Sequence, residues 1–164
     1  MTNMMTGARL PCAANGWLTP HVTLLLDSHQ RLTGRELLTP DDDAVARARR
    51  AFEAPFVLLS HGLEADPLFN YANRTALDLF ELDWPALLAL PSRASAEALN
   101  QEARARLMRA VLERGYIDDY SGVRIASSGR RFVIEQATVW NVIDAAGRFH
   151  GQAASFANWR HLPD

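Results

Sequence analysis

The chain has 164 residues, 48% hydrophobic and 22% charged, with a net charge of -2. That length can bury one real core, while the near-neutral balance argues against broad binding to nucleic acid, which needs a clustered basic surface. A single cysteine, Cys12, excludes an intramolecular disulfide and a cysteine-built metal site.

Residues 1–16 mix Gly, Asn, Thr and Ala without a period and read as a disordered tail. They lack the basic start and apolar run of a secretory signal. No later apolar run approaches the length of a membrane span. These absences point to a cytoplasmic protein with no membrane partner.

Residues 17–54 read as an N-terminal helical cap. The first helix is expected to take Thr19 as N-cap and Pro20 as its first helical residue. Leu18, Val22, Leu25, Leu26, His29 and Leu32 fall on one face at helical spacing, and Gly34 is the expected stop. A second helix is expected from Asp41 or Asp42 to about Glu53, presenting Val45, Ala48 and Phe52. Its acids come first and its bases, Arg47, Arg49 and Arg50, come last, which suits the helix dipole. Pro55 closes it. Neither helix is long enough to stand alone in water.

From Pro55 to residue 160 the pattern changes. Phe56-Val57-Leu58-Leu59 is short and apolar on both faces, a buried strand. The turn-rich run His61 to Pro67 leads to a second strand at Leu68 to Tyr71. Asn73 is an N-cap for a helix over Thr75 to Phe80, and Trp84-Pro85 restarts a helical turn that Pro91 breaks. Ser92 or Ser95 caps a longer helix, with Glu97 in its first turn, that runs through Leu99, Leu107 and Val111 to Gly115. Three strand runs follow, Tyr116 to Ala126, Arg131 to Ile143 and Arg148 to Phe156. Ser127-Ser128-Gly129-Arg130 and Asp144-Ala145-Ala146-Gly147 are hairpin turns with Gly where a positive φ is needed. Two strands, a helical middle and three consecutive strands make an α+β fold, an antiparallel five-stranded sheet with helices on one face.

That element order is similar to the PAS fold. The runs LSHGLEADPLFNYANRTALDLFELDW, LPSRASAEA and YIDDYSGVRIASSGRRFVIEQATVWNVIDAAGRFHGQAASF resemble the MEKHLA domain family, itself PAS-like. The resemblance spans about Trp17 to Trp159. It implies a domain with a cavity between helices and sheet, of the kind found as standalone bacterial proteins and at the C-terminus of plant class III homeodomain-leucine zipper proteins. No homeodomain is present in this sequence, so the plant proteins' transcriptional role does not carry over. Asn73 with Ala76, Gly129 to Phe132, and Asp144 to Gly151 resemble shorter PAS motifs.

Strand alternation puts Phe132, Ile134, Gln136, Thr138, Trp140 and Val142 on the larger, more apolar face of the long strand, the one expected to face the helices. Gln136 and Thr138 would then need partners among hydrophobes, from the protein or from a ligand. The preceding strand alternates Tyr116, Asp118, Tyr120, Gly122 and Arg124 against Ile117 to Ile125. Tyr71, Tyr120 and Trp140 are amphipathic aromatics that suit a cavity wall as well as a core. Gln152 lies in the last strand. Gly122, Gly151 and Ala153 permit close approach of a helix or a small molecule. His61 shares a loop with Glu64 and Asp66, a setting for hydrogen bonding, ligand contact or general-base chemistry. Arg93, just before a helix start, suits either an anion or an ion pair with Glu97 or another nearby acid.

The candidate ligand-binding set is therefore His61, Tyr71, Arg93, Tyr120, Gln136, Thr138, Trp140 and Gln152. No catalytic or metal-binding residue is assigned, and the sequence names no cofactor. A flavin adduct needs a cavity cysteine, and Cys12 lies in the tail, whereas haem through His61 or His150 stays open. Three readings follow: a small-molecule sensing or binding module, a homodimer formed through the apolar stripe Leu18 to Leu32, and, third, a small enzyme with His61 as base.

Overall fold

The computed structural model describes residues 9–96 and 101–163. Residues 1–8 of the expected tail, and the expected helical positions Glu97 and Leu99, lie outside the described residues. Ala13–Leu18 form a 3-10 helix where the sequence suggests tail. Gly16, Trp17 and Leu18 carry φ of 64, 59 and 55°, a left-handed corner that turns the chain into α1, Thr19–Thr33. Leu18 therefore holds the N-cap position. Thr19 is already helical, and its hydroxyl donates to the Gly16 carbonyl at 2.5 Å. Gly34 ends α1 at φ 74°, a left-handed stop that glycine accommodates without a Cβ penalty.

Asp43 caps α2, Ala44–Glu53, accepting from the amides of Val45 and Ala46. The helix buries Ala48, Ala51 and Phe52, while Val45, expected inward, is 47% exposed. Arg47, Arg49 and Arg50 each pair with a carboxylate, of Asp27, Glu53 and Asp41, so the basic cluster is an ion-paired helix surface.

The strands are β1 Val57–His61, β2 Phe69–Ala72, β3 Tyr116–Ile125, β4 Arg131–Ile143, β5 Phe149–Phe156 and β6 Asn158–His161. They form one antiparallel sheet in the order β2-β1-β5-β4-β3. The sixth strand, polar and four residues long, has no sequence signal. It forms because the chain runs on past β5 and pairs with Phe132 to Glu135 of β4, with Trp159 edge-on to Phe156 at 5.9 Å.

α3 (Arg74–Phe80), a 3-10 helix (Ser92–Ser95) and α5 (Gln101–Arg114) line the cavity on one side of this sheet, and α4 (Trp84–Leu88) packs on β2 through Trp84 against Tyr71. α1 covers the other. Trp140 Nε1 donates to the Leu25 carbonyl at 3.2 Å, the His29 ring stands edge-on to Trp140 at 4.8 Å, and the Ser28 hydroxyl donates to Asn141 O at 2.7 Å. Val22, Leu25 and Leu26 are at most 2% exposed, each contributing about 2 kcal/mol by burial. The apolar stripe offered for a homodimer is thus packed on the chain's own sheet.

Asn73 ties the layers together. Its side-chain oxygen accepts from Ala76 N and Leu58 N, and its amide donates to Ala51 O and Phe56 O. The cap was legible in the sequence; the other three bonds join α2, β1 and α3 and were not.

The expected face of β4 needs correction. Ile134 pairs with Gly122 and Ala137 with Tyr120, so three residue steps on β4 face two on β3. Gln136 is the extra residue, at φ 52°, a β-bulge. One inserted residue flips every later side chain to the opposite face. Phe132 and Ile134 keep the expected side, but Thr138, Trp140 and Val142 turn toward α1. Val139 and Asn141 take their place.

Candidate functional site

A cavity of about 440 Å³ lies between the sheet and α3, α5 and the second 3-10 helix. Its floor is built by strand pairing. Leu59 and His61 of β1 stand opposite Ala154 and Gln152 of β5, and Val139 of β4 stands opposite Ala154. The roof is Phe80 of α3 with Leu107, Met108 and Val111 of α5. Phe69, Ile134 and Phe156 complete an apolar lining, and Asp66, Arg93, Ser92 and Ser95 stand at one side. Arg93 and Asp66 are about half exposed and Met108 is 57% exposed, so the cavity reaches the surface there.

Four of the eight candidate residues line this cavity: His61, Arg93, Tyr120 and Gln152. Arg93 forms a two-point ion pair with Asp66, at 2.9 and 3.0 Å, and these bonds raise its pKa above the usual arginine value. His61 Nδ1 is 3.1 Å from the Gly62 carbonyl, leaving Nε2 for another partner. The loop carboxylate of Glu64 turns inward on its own loop, accepting from Leu68 N at 3.1 Å. Backbone amides, its own first and then that of Leu68, hold it below the ordinary glutamate range. The Gln152 amide donates to Asn141 Oδ1 at 3.3 Å, and Asn141 in turn donates to the Val111 carbonyl of α5 at 3.1 Å.

The other four lie elsewhere. Gln136 is exposed at the bulge, and Thr138 and Trp140 face α1. Tyr71 is fully buried on β2 between His21, at 5.9 Å, and Trp84, at 6.2 Å. Its hydroxyl is the one buried side-chain polar atom without a hydrogen-bond partner among the described residues, and burial raises its pKa. The small strand residues also have local causes. A Cβ on Gly151, at φ 136°, would sit 2.1 Å from the His61 carbonyl oxygen, and one on Gly122 would sit 2.8 Å from the Tyr120 hydroxyl. Neighbouring backbone and a tyrosine ring, rather than a helix or ligand, make the close approach.

Arg124 was not among the candidates, although alternation already places it on the Tyr120 face of β3. Its guanidinium lies 5.4 Å from the centre of the Tyr120 ring. Nη1 donates to the Val123 carbonyl at 3.1 Å and Nη2 lies 3.5 Å from the Tyr120 hydroxyl. Among the described residues no group of three or more His, Cys, Asp and Glu side chains could hold a metal ion, and no helix is long and apolar enough to cross a membrane.

A helix-covered antiparallel sheet with a cavity on its inner face defines a PAS-like domain, and solved structures agree. The PAS domain of a protein from Colwellia psychrerythraea superposes with a TM-score of 0.58 at 13% identity, over 71% of this chain and 94% of that one. The light-state dimer of the fungal blue-light photoreceptor Vivid gives 0.57 at 14% identity, over 82% and 91%. At such identities the likeness shows the fold alone. The sequence profile of the MEKHLA domain matches residues 19–161, and the chain belongs to that family. Similar curated proteins are the homeobox-leucine zipper proteins HOX9 of Oryza sativa subsp. indica, 28% identical over 82% of this chain, and ATHB-14 of Arabidopsis thaliana, 33% identical over 58%. The chain spans only 16% and 11% of their lengths. These relatives are plant proteins and lend no support to a standalone bacterial type.

Proposed function

We propose that this domain is a small-molecule sensing or binding module whose ligand occupies the cavity beneath α5. The observation that carries this reading is the cavity itself, about 440 Å³ of mainly apolar wall into which His61, Tyr120, Arg124 and Gln152 project polar groups. Few polar groups on an apolar wall of this size is the usual make-up of a ligand site. His61 and Gln152 face one another across β1 and β5, so a ligand reaching the floor would meet both. Of the eight candidates, His61, Arg93, Tyr120 and Gln152 remain in the proposed site. A cytoplasmic setting belongs to the same reading.

The test is native mass spectrometry of the gently purified full chain, followed by thermal melts against metabolite and cofactor pools. Retained mass or a raised melting temperature, abolished by filling the cavity with Ala154→Phe, is the expected result. No retained mass and no shift with any pool would overturn the proposal.

A further inference from the structure

Among the described residues the cavity lining holds two arginines, Arg93 and Arg124, and one carboxylate, Asp66. Asp66 is already committed to Arg93 through two hydrogen bonds. Among the described residues the Arg124 guanidinium meets the Val123 carbonyl, the Tyr120 hydroxyl and the Tyr120 ring. Among the described residues no carboxylate pairs with it. A guanidinium carries five N–H donors in a fork that matches a carboxylate at two points. At Arg124 two nitrogens have one partner each, the second at the long distance of 3.5 Å. A half-buried guanidinium with no acid beside it among the described residues keeps donors that a bound anion would engage.

We propose that the ligand is an amphipathic organic carboxylate, its carboxylate held by the Arg124 guanidinium beside the Tyr120 hydroxyl. Its apolar body packs between Phe80, Leu107 and Val111 above and Ile134, Val139 and Phe156 below. One guanidinium fork matches one carboxylate, and Arg93 is already committed to Asp66. This inference rests on the cavity being a ligand site.

Titration calorimetry on the full chain separates the two ideas. The probes are decanoate and 2-naphthylacetate, their neutral counterparts 1-decanol and 2-naphthaleneethanol, and decyl phosphate. The expected result is that the carboxylates bind about tenfold or more tighter than the alcohols, and that Arg124→Gln removes this advantage while alcohol binding persists, as loss of a charge-assisted two-point contact requires. Arg124→Lys, which keeps charge and loses the fork, is expected to fall between. An unchanged melting temperature of ligand-free Arg124→Gln establishes that the variant folds, and if it does not, Arg124→Lys carries the comparison. Equal binding of acids and alcohols in wild type and variant overturns the carboxylate assignment and leaves the cavity reading standing. Tighter binding of decyl phosphate than of decanoate overturns it in favour of phosphate. Binding of no probe overturns the carboxylate assignment, and the pool screen above decides the cavity reading separately.

Discussion

Mild acid is expected to destabilise the fold through His21, which joins α1 to the sheet. The Ser60 hydroxyl donates to Asn70 Oδ1 at 2.5 Å, so it is left to accept from His21 Nε2 at 3.0 Å. Burial, with a smaller contribution from nearby His150, lowers the His21 pKa from 6.5 to about 4. The folded value lies below the unfolded one. As pH falls through 6.5 toward 4 the unfolded chain takes up a proton that the folded chain refuses, so stability is lost across that window and fully present above it. Integrating between those two pKa values, the loss at pH 5 relative to pH 7.5 is about 2 kcal/mol. With a urea m-value of about 2 kcal/mol/M, the unfolding midpoint falls by about 1 M. His29 is also lowered by burial and acts in the same direction. Asp144 is held well below its ordinary range, first by the hydrogen bond from His150 and then by Arg148 N, and it acts only in stronger acid. Urea unfolding of wild type and His21→Gln at both pH values isolates the term, because glutamine keeps a donor for Ser60 and cannot titrate. The difference between the two proteins should shrink by about 2 kcal/mol between pH 7.5 and 5. Parallel pH dependences, or a His21 ring that titrates near 6.5 by NMR, would refute the reasoning.

Further substitutions test the scaffold. Asn73→Ala strands two amides and two carbonyls that its side chain now satisfies, and should cost about 3 kcal/mol or more in urea unfolding. Gly151→Ala places a Cβ against the His61 carbonyl at a φ of 136°; a loss of about 3 kcal/mol or more is expected, read as a lowered thermal midpoint. Gln136→Gly should do the opposite, raising stability by about 1 kcal/mol, because φ 52° at an exposed bulge suits glycine better than glutamine.

Much of the architecture was legible because local chemistry dictates it. Asn73 caps α3, Gly34 stops α1, and the two hairpin glycines, Gly129 and Gly147, sit at φ of 90 and 84°. The exit from the tail was not legible. Trp17 and Leu18 adopt left-handed φ without being glycine, and what holds them is tertiary: the Trp17 ring lies 5.9 Å from Phe52 and 5.4 Å from the Arg49 guanidinium.

The inner face of β4 was half legible, for a physical reason. Alternation identifies a face only where one side of the sheet meets water. Beyond Gln136 both sides are covered, by α5 and the cavity on one and by α1 on the other, so Val139 and Trp140 are equally apolar and the period of two carries no direction. A bulge in such a stretch leaves no trace in the hydrophobic pattern. It was visible only as two polar residues in a row, Glu135 and Gln136, both exposed in the middle of a long strand. The consequence is specific. On β4 the bulge moves Thr138 and Trp140 to the helical cap and brings Val139 to the cavity, whereas β3 and β5 keep Tyr120, Arg124 and Gln152 at its wall. The polar chemistry of the site therefore comes from the strands flanking β4, and β4 itself contributes a hydrophobic floor.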